Sequence, residues 1–232
     1  MARHLRLGPK SVPQHVIQRG NNRKICFGSE NDYAAYIHWL KKYSVKYSVS
    51  IHAWVLMTNH VHILCTPTQD NKGVSLMMQS LGREYVLYFN NTYNRTGTLW
   101  EGRFKSCLVC APDYLLNLYQ YIELNPVRAN MVADPADYKW SSYQINALDK
   151  RSSLCRPHDL YTALGSDDKK RKSAYRDLFA DILSHGLIDN IRKCSNKELV
   201  LGSEKFISEI KDLVGFTLKS NKRGRPRSNK CT

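Results

Sequence analysis

Asn59-His60-Val61-His62-Ile63-Leu64 sets two imidazoles two residues apart inside a run of strand-forming residues. Strand side chains alternate in direction, so His60 and His62 share one face while Val61 and Ile63 take the other. Separated by about 7 Å along a strand, the two rings can converge on one divalent ion. Imidazole suits zinc, iron, nickel or copper, and it accepts manganese or magnesium when oxygen donors complete the shell. A solvated pair on the outer face of an amphipathic strand reads the same residues, and H-x-H alone does not choose. A second pairing is Tyr121 with Asn125, a phenol and a short amide one helical turn apart, just before Pro126. A third stretch, Leu99-Trp100-Glu101-Gly102-Arg103-Phe104-Lys105, interleaves aromatic and basic residues around a glycine. Trp100, Arg103 and Lys105 in this mixture suit stacking on unpaired bases and contact with phosphates. A strand with one buried aromatic face gives the same pattern.

The charge balance points the same way. Across 232 residues the formal net charge is +15, which favours a polyanionic partner, nucleic acid before an anionic membrane surface. The excess sits at both ends. Arg3, Arg6, Lys10, Arg19, Arg23 and Lys24 precede the first acid, Glu30, and Lys219, Lys222, Arg223, Arg225, Arg227 and Lys230 fill the end with no acid among them. Lys222-Arg223-Gly224-Arg225-Pro226-Arg227 resembles an AT-hook, a segment that lies in narrow A·T minor grooves. A solvated tail that holds phosphates without specificity is the alternative. Seven cysteines, without two C-x-x-C pairs, argue against a disulfide framework or a structural zinc knot. No apolar run follows the basic start and none approaches the roughly 20 residues of a membrane span. A cytoplasmic protein with no membrane partner is expected.

The elements that must position these groups follow from periodicity. Residues 14–19 alternate as a first strand, stopped by Gly20-Asn21-Asn22. Arg19, Asn21, Arg23 and Lys24 at that turn fit either phosphate contact or a plain solvated hairpin turn. A helix is expected from Ser29 or Asn31 to Tyr47, with Asn31 as N-cap. Strands over 49–57 and 60–66, joined by Thr58-Asn59, form an antiparallel hairpin. A helix over 73–90, a strand over 106–110, and a helix opening at Pro112-Asp113 complete the series. Pro126 pushes Asn125 out of α geometry and ends that last helix. A polar stretch near 148–157 marks a boundary. It predicts a domain over 1–148, a helical accessory domain over 149–215 and a basic tail over 216–232. Within the helical part, Ser195 with Glu198 reads as a capping box that opens a helix.

Three stretches in this order and spacing carry a resemblance: Trp54–His62, Gly97–Ser106, and Tyr121-Ile122-Glu123-Leu124-Asn125-Pro126-Val127-Arg128-Ala129. The chain resembles the REP-associated tyrosine transposases, a branch of the single-tyrosine HUH transposases, over roughly residues 10–145. The resemblance implies an α+β fold, a ferredoxin-like sandwich with a central antiparallel sheet, here with a small helical C-terminal extension. It implies His60 and His62 as metal ligands, Asn125 as the polar third ligand and Tyr121 as nucleophile, with Tyr119 and Tyr114 as fallbacks. The implied activity is metal-dependent nicking and joining of single-stranded hairpin DNA through a covalent 5′-phosphotyrosine, with magnesium or manganese as cofactor. The chain is expected as a monomer or homodimer. Two other classes stay open: a non-catalytic DNA- or RNA-binding regulator on the same scaffold, and a hydrolytic metallonuclease with no covalent step.

Overall fold

A computed structural model describes residues 8–181 and 183–214. The basic tail, with Arg223, Arg225 and Arg227, lies outside the described residues. The first six regular elements are β1 (Gln14–Arg19), α1 (Glu30–Lys46), β2 (Val49–Met57), β3 (His60–Pro67), α2 (Gly73–Thr92) and β4 (Lys105–Val109). Their strands lie in the order β2-β3-β1-β4 and pair antiparallel throughout. This βαββαβ path with its sheet order is the ferredoxin-like arrangement. A short fifth strand, β5 (Val200–Leu201), adds outside β4 and runs parallel to it.

Each element forms for a local reason. Thr58-Asn59 is short enough to force β2 and β3 into a hairpin, and β3 becomes an interior strand between β2 and β1. Helix α1 takes Ser29, one of its two expected starts, as N-cap in place of Asn31. Ser29 is extended, with φ −146°, and Asp32, three residues on, accepts the N–H groups of Gly28 at 2.7 Å and Ser29 at 2.9 Å. That reciprocal arrangement satisfies orphan donors of the first turn, which Asn31 one residue before Asp32 could not achieve.

The sheet is covered on both faces. On one side Val16, Trp54, Leu56, Val61, Ile63 and Cys65 pack against the aromatic stripes of α1 and α2, including Tyr36, Leu40, Met77, Leu81 and Tyr85. On the other, Val55 and Leu64 meet α3 (Ala111–Glu123) through Leu115, Leu118, Tyr119 and Ile122. The segment beyond residue 148 packs into this same second core. It supplies α6 (Asp159–Thr162), α7 (Asp168–Asp177) and α8 (His185–Lys197), with Tyr161, Tyr175, Ile191 and Cys194 buried there. A further helix, α9 (Glu204–Val214), follows β5.

Two local expectations are corrected. Pro126 does not end the helical path: α3 breaks at Leu124, and α4 (Asn125–Arg128) begins at once, with proline tolerated in its first turn. The Asn125 side-chain amide donates to Ile122 O at 3.2 Å, the carbonyl that the missing Pro126 N–H would have met. Ser195 does not open a helix either. It is buried near the end of α8, whose N-cap is Ser184, and Glu198 is the left-handed C-cap with φ 54°. A short helix α5 (Tyr143–Asn146) closes the Trp140-Ser141-Ser142 loop onto β2, where Ser142 N–H reaches Trp54 O at 2.9 Å.

Candidate catalytic cleft

Pairing register decides which groups share a face. Ile17 lies opposite His62 and Arg19 opposite His60 across β1 and β3, so His15, Ile17 and Arg19 point to the same side as the two histidines. Helix α3 crosses that side and lowers Tyr121 onto it. Ile17, Arg19, His60, His62, Tyr121, Asn125, Arg192 and Asn196 together line a cleft of about 240 Å3. The four residues expected to hold a metal and attack are therefore brought together, along with Arg19. None of the lining residues is acidic.

The rings are fixed by contacts on their far sides. His60 and His62 stand edge to face with centroids 5.0 Å apart, and the Tyr121 ring meets His62 edge-on at 5.9 Å. His60 Nδ1 lies 2.6 Å from Asn59 Oδ1, while Asn59 Nδ2 donates to Arg23 O at 3.1 Å. His62 Nδ1 lies 2.9 Å from His15 Nε2, and His15 Nδ1 lies 2.9 Å from Ser195 Oγ. Both Nδ1 atoms are engaged, which leaves both Nε2 atoms as the outer edges of the pair. Asn125 donates from Nδ2 to Tyr121 O at 2.9 Å and to Ile122 O, so its oxygen is the end left for the cleft.

Electrostatics keep the imidazoles neutral. Burial, aided by the Arg19 charge, lowers His60 to about 4. Burial lowers His62 well below its ordinary value, with His15, His60, Arg128 and Arg19 adding to the effect. Burial alone brings His15 down to about 3. Neutral imidazole is the form that ligates a cation. Among the described residues no cluster of three His, Cys, Asp or Glu side chains is placed to hold a metal. Asn125, beside the two histidines in the cleft, brings an amide oxygen to the same lining.

The other expected contacts fall in different places. Arg23 and Lys24 are exposed on a 3-10 turn (Asn21–Arg23) beside the cleft strand, with Asn21 half-buried. Arg103 is exposed, and Lys105 Nζ reaches Asn196 Oδ1 at 3.4 Å. Trp100 is the exception. It is buried, with its ring stacked on Tyr85 at 5.8 Å, so it serves the core rather than offering a base-stacking platform. Of the fallback tyrosines, Tyr119 points into the second core between Tyr161 and Tyr175, and its hydroxyl is pushed well above the ordinary phenol range by burial. Tyr114 does not line the cleft.

Four residues join this site without having been expected there: His15, Arg128 and Arg192 beside it, and Ser195 behind His15. Arg128 lies over the Tyr121 ring, 4.5 Å from its centroid, and also donates to Tyr121 O. Burial lowers Arg128 to about 10, opposed by Tyr121. Its spacing from Tyr121, seven residues, is two helical turns, a signal the sequence did hold.

The site is thus a ferredoxin-like sheet carrying two neutral histidines beneath a helix-borne tyrosine. The family comparison is specific: residues 10–125 match the model for IS200-like transposases. The chain belongs to that transposase family, whose members process DNA. Among solved structures it is similar to a REP-associated tyrosine transposase bound to a REP hairpin, at 20% identity over 68% of this chain and 99% of that one, with a TM-score of 0.51. That likeness shows the shared fold. A proposed transposase from Deinococcus radiodurans aligns at 19% identity over 53% of this chain and 96% of that one, with a TM-score of 0.37. No curated protein matches the chain. Among the described residues, no helix is long and apolar enough to cross a membrane.

Proposed function

We propose that this transposase nicks and rejoins single-stranded DNA next to hairpin repeats through a covalent 5′-phosphotyrosine on Tyr121. The observation that carries the reading is the single cleft holding Tyr121, His60, His62 and Asn125. The hairpin repeat as substrate rests on the likeness to the hairpin-bound relative and on the basic surface.

The donor set fits a divalent ion. Two imidazole Nε2 edges and one amide oxygen are neutral, and they leave coordination positions for phosphate oxygens. Magnesium or manganese fits an ion that must exchange phosphate ligands. When bound, it supplies Lewis-acid polarisation of the scissile phosphate with an undiminished double charge. The chain supplies the rest. Helix α3 carries the Tyr121 ring beside the histidine pair, and Arg128 lies over that ring. Arg19 and Arg192 give the strand a cationic track, Arg192 sharing its charge with Asp189 at 3.6 Å. In the step itself the Tyr121 oxygen bonds to phosphorus and the P–O3′ bond breaks. The phenol proton is lost and the 3′ oxygen gains one. Because the phosphodiester linkage is conserved, a second 3′-hydroxyl can reverse the step and join strands without a nucleotide cofactor.

A labelled single-stranded hairpin library with magnesium or manganese tests this, run beside Tyr121→Phe. A denaturation-resistant protein–DNA adduct that disappears in Tyr121→Phe is the expected result. Cleavage without adduct in Tyr121→Phe points to a hydrolytic nuclease. Binding with no cleavage under any metal points to the regulator.

A further inference from the structure

The two histidines are held by partners of different kinds. Asn59 faces His60 with an amide oxygen, its nitrogen being committed to Arg23 O. An amide oxygen only accepts, so His60 carries its proton on Nδ1 and presents a bare Nε2 lone pair to the cleft. His62 has no such instruction. Its Nδ1 faces another imidazole, His15 Nε2 at 2.9 Å, and either ring can donate.

The choice passes one step further. His15 is fully buried and nearly coplanar with His62, with ring centroids 5.1 Å apart and an interplanar angle of 17°. Its other nitrogen meets Ser195 Oγ at 2.9 Å, and Ser195 Oγ meets Cys107 Sγ at 3.4 Å. Two arrangements satisfy this chain. In the first, protons point outward from the cleft: His62 Nδ1–H to His15, His15 Nδ1–H to Ser195, Ser195 O–H to the Cys107 sulfur. His62 Nε2 is then a lone pair, free to ligate. In the second, every bond is reversed, His62 carries its proton on Nε2, and that edge cannot bind a cation.

We propose that Ser195 on α8, acting through His15, holds His62 in the Nδ1–H form and makes that helix a positioning part of the metal-binding face. The inference rests on the metal reading above. Ser195 is the member of the chain best able to accept from His15 and donate onward at once, because a hydroxyl does both. Without it, the outward arrangement strands a buried N–H, a costlier fault than an unused lone pair. Helix α8 lies outside the residues matched by the family model, so this link is a property of the chain's own extension. Ser195 and His15 touch no substrate. They are positioning residues.

The test uses the full chain with 15N-labelled imidazoles, metal-free, and reads the tautomer of His62 from long-range proton–nitrogen correlations. The unsubstituted chain shows His62 protonated at Nδ1. In Ser195→Ala the population moves toward Nε2–H, and the dissociation constant for manganese, followed by the spin resonance of free Mn2+, rises about tenfold. Ser195→Thr, which keeps the hydroxyl, restores both readouts. His15→Phe, which keeps a ring but offers no nitrogen, weakens manganese binding at least as much. A folded Ser195→Ala chain that keeps Nδ1–H and unchanged manganese affinity overturns the proposal, as does an Nε2–H tautomer in the unsubstituted chain. If the tautomer shifts as expected but the unsubstituted chain binds no manganese, the positioning chain stands and the metal reading falls.

Discussion

Arg128→Met isolates what holds Tyr121, the proposed nucleophile. In the structure the Arg128 guanidinium stacks over the Tyr121 ring at 4.5 Å and donates to the Tyr121 carbonyl. A desolvated cation–π contact is worth about 2 kcal/mol, and a charged hydrogen bond about 1.5–3 kcal/mol. Methionine keeps the apolar stem and loses both interactions. Tyr121 O retains the Asn125 amide at 2.9 Å, so α3 stays formed and the loss falls on the freedom of the phenol ring. If about 2 kcal/mol of that restraint acts on the reactive orientation, single-turnover adduct formation slows about 30-fold. Arg128→Lys keeps the charge but not the planar fork, and its rate falls between the two. The assay is adduct formation on a labelled hairpin at saturating DNA and metal, so weaker binding does not enter the rate. A folded Arg128→Met chain that reacts within twofold of the unsubstituted rate refutes the argument.

Other expected outcomes concern the scaffold. Asp32 is fully buried and accepts from Gly28 N–H, Ser29 N–H, Tyr88 Oη at 3.0 Å and Tyr93 Oη at 2.7 Å. Asp32→Ala removes the acceptor for all of them and destabilises the fold by about 4 kcal/mol in urea unfolding; a loss under about 1 kcal/mol contradicts the role. Gly20→Ala sets a Cβ 2.2 Å from the Lys24 carbonyl oxygen. The turn must then open, with a cost of about 2 kcal/mol visible as a lower midpoint, and an unchanged midpoint speaks against the close approach. His52, buried between Arg156 O and Thr66 Oγ1, is lowered by burial to about 4. Its unfolded form takes up a proton below its ordinary value of 6.5 while the folded form does not, so its stabilisation is present at neutral pH and lost as pH falls toward 4. Between pH 7 and pH 5 this removes about 2 kcal/mol, and His52→Gln should lose that much less over the same interval.

The sequence is most legible where one short period carries the information. β3 shows both histidines because a strand alternates every two residues, and Tyr121–Asn125 shows because one helical turn is four. Trp100 misleads because an aromatic among basic residues suits a base platform and a core strand equally. Only the stacking on Tyr85, a contact between distant segments, separates the two. Helix α8 was hidden in a different way. Leu187, Ile191 and Cys194 have helical spacing, but Gly186 weakens the start, and Ser195 with Glu198 imitates a capping box that would place a boundary inside the helix.

His15 marks the deeper limit. Nothing local distinguishes it from any other residue of an alternating strand, and its meaning depends on β1 lying beside β3 with Ile17 opposite His62. A one-residue slip of that register would turn His15 to the opposite face and leave His62 Nδ1 without its partner. The groups proposed to do chemistry are therefore visible as residue types at a spacing, and the family resemblance chooses among their readings. The protonation that lets each group do it belongs to hydrogen-bond partners brought in by sheet order and by α8. His60 takes its partner from the neighbouring residue, whereas His62 depends on one 47 positions away, which in turn depends on another 180 positions further along the chain.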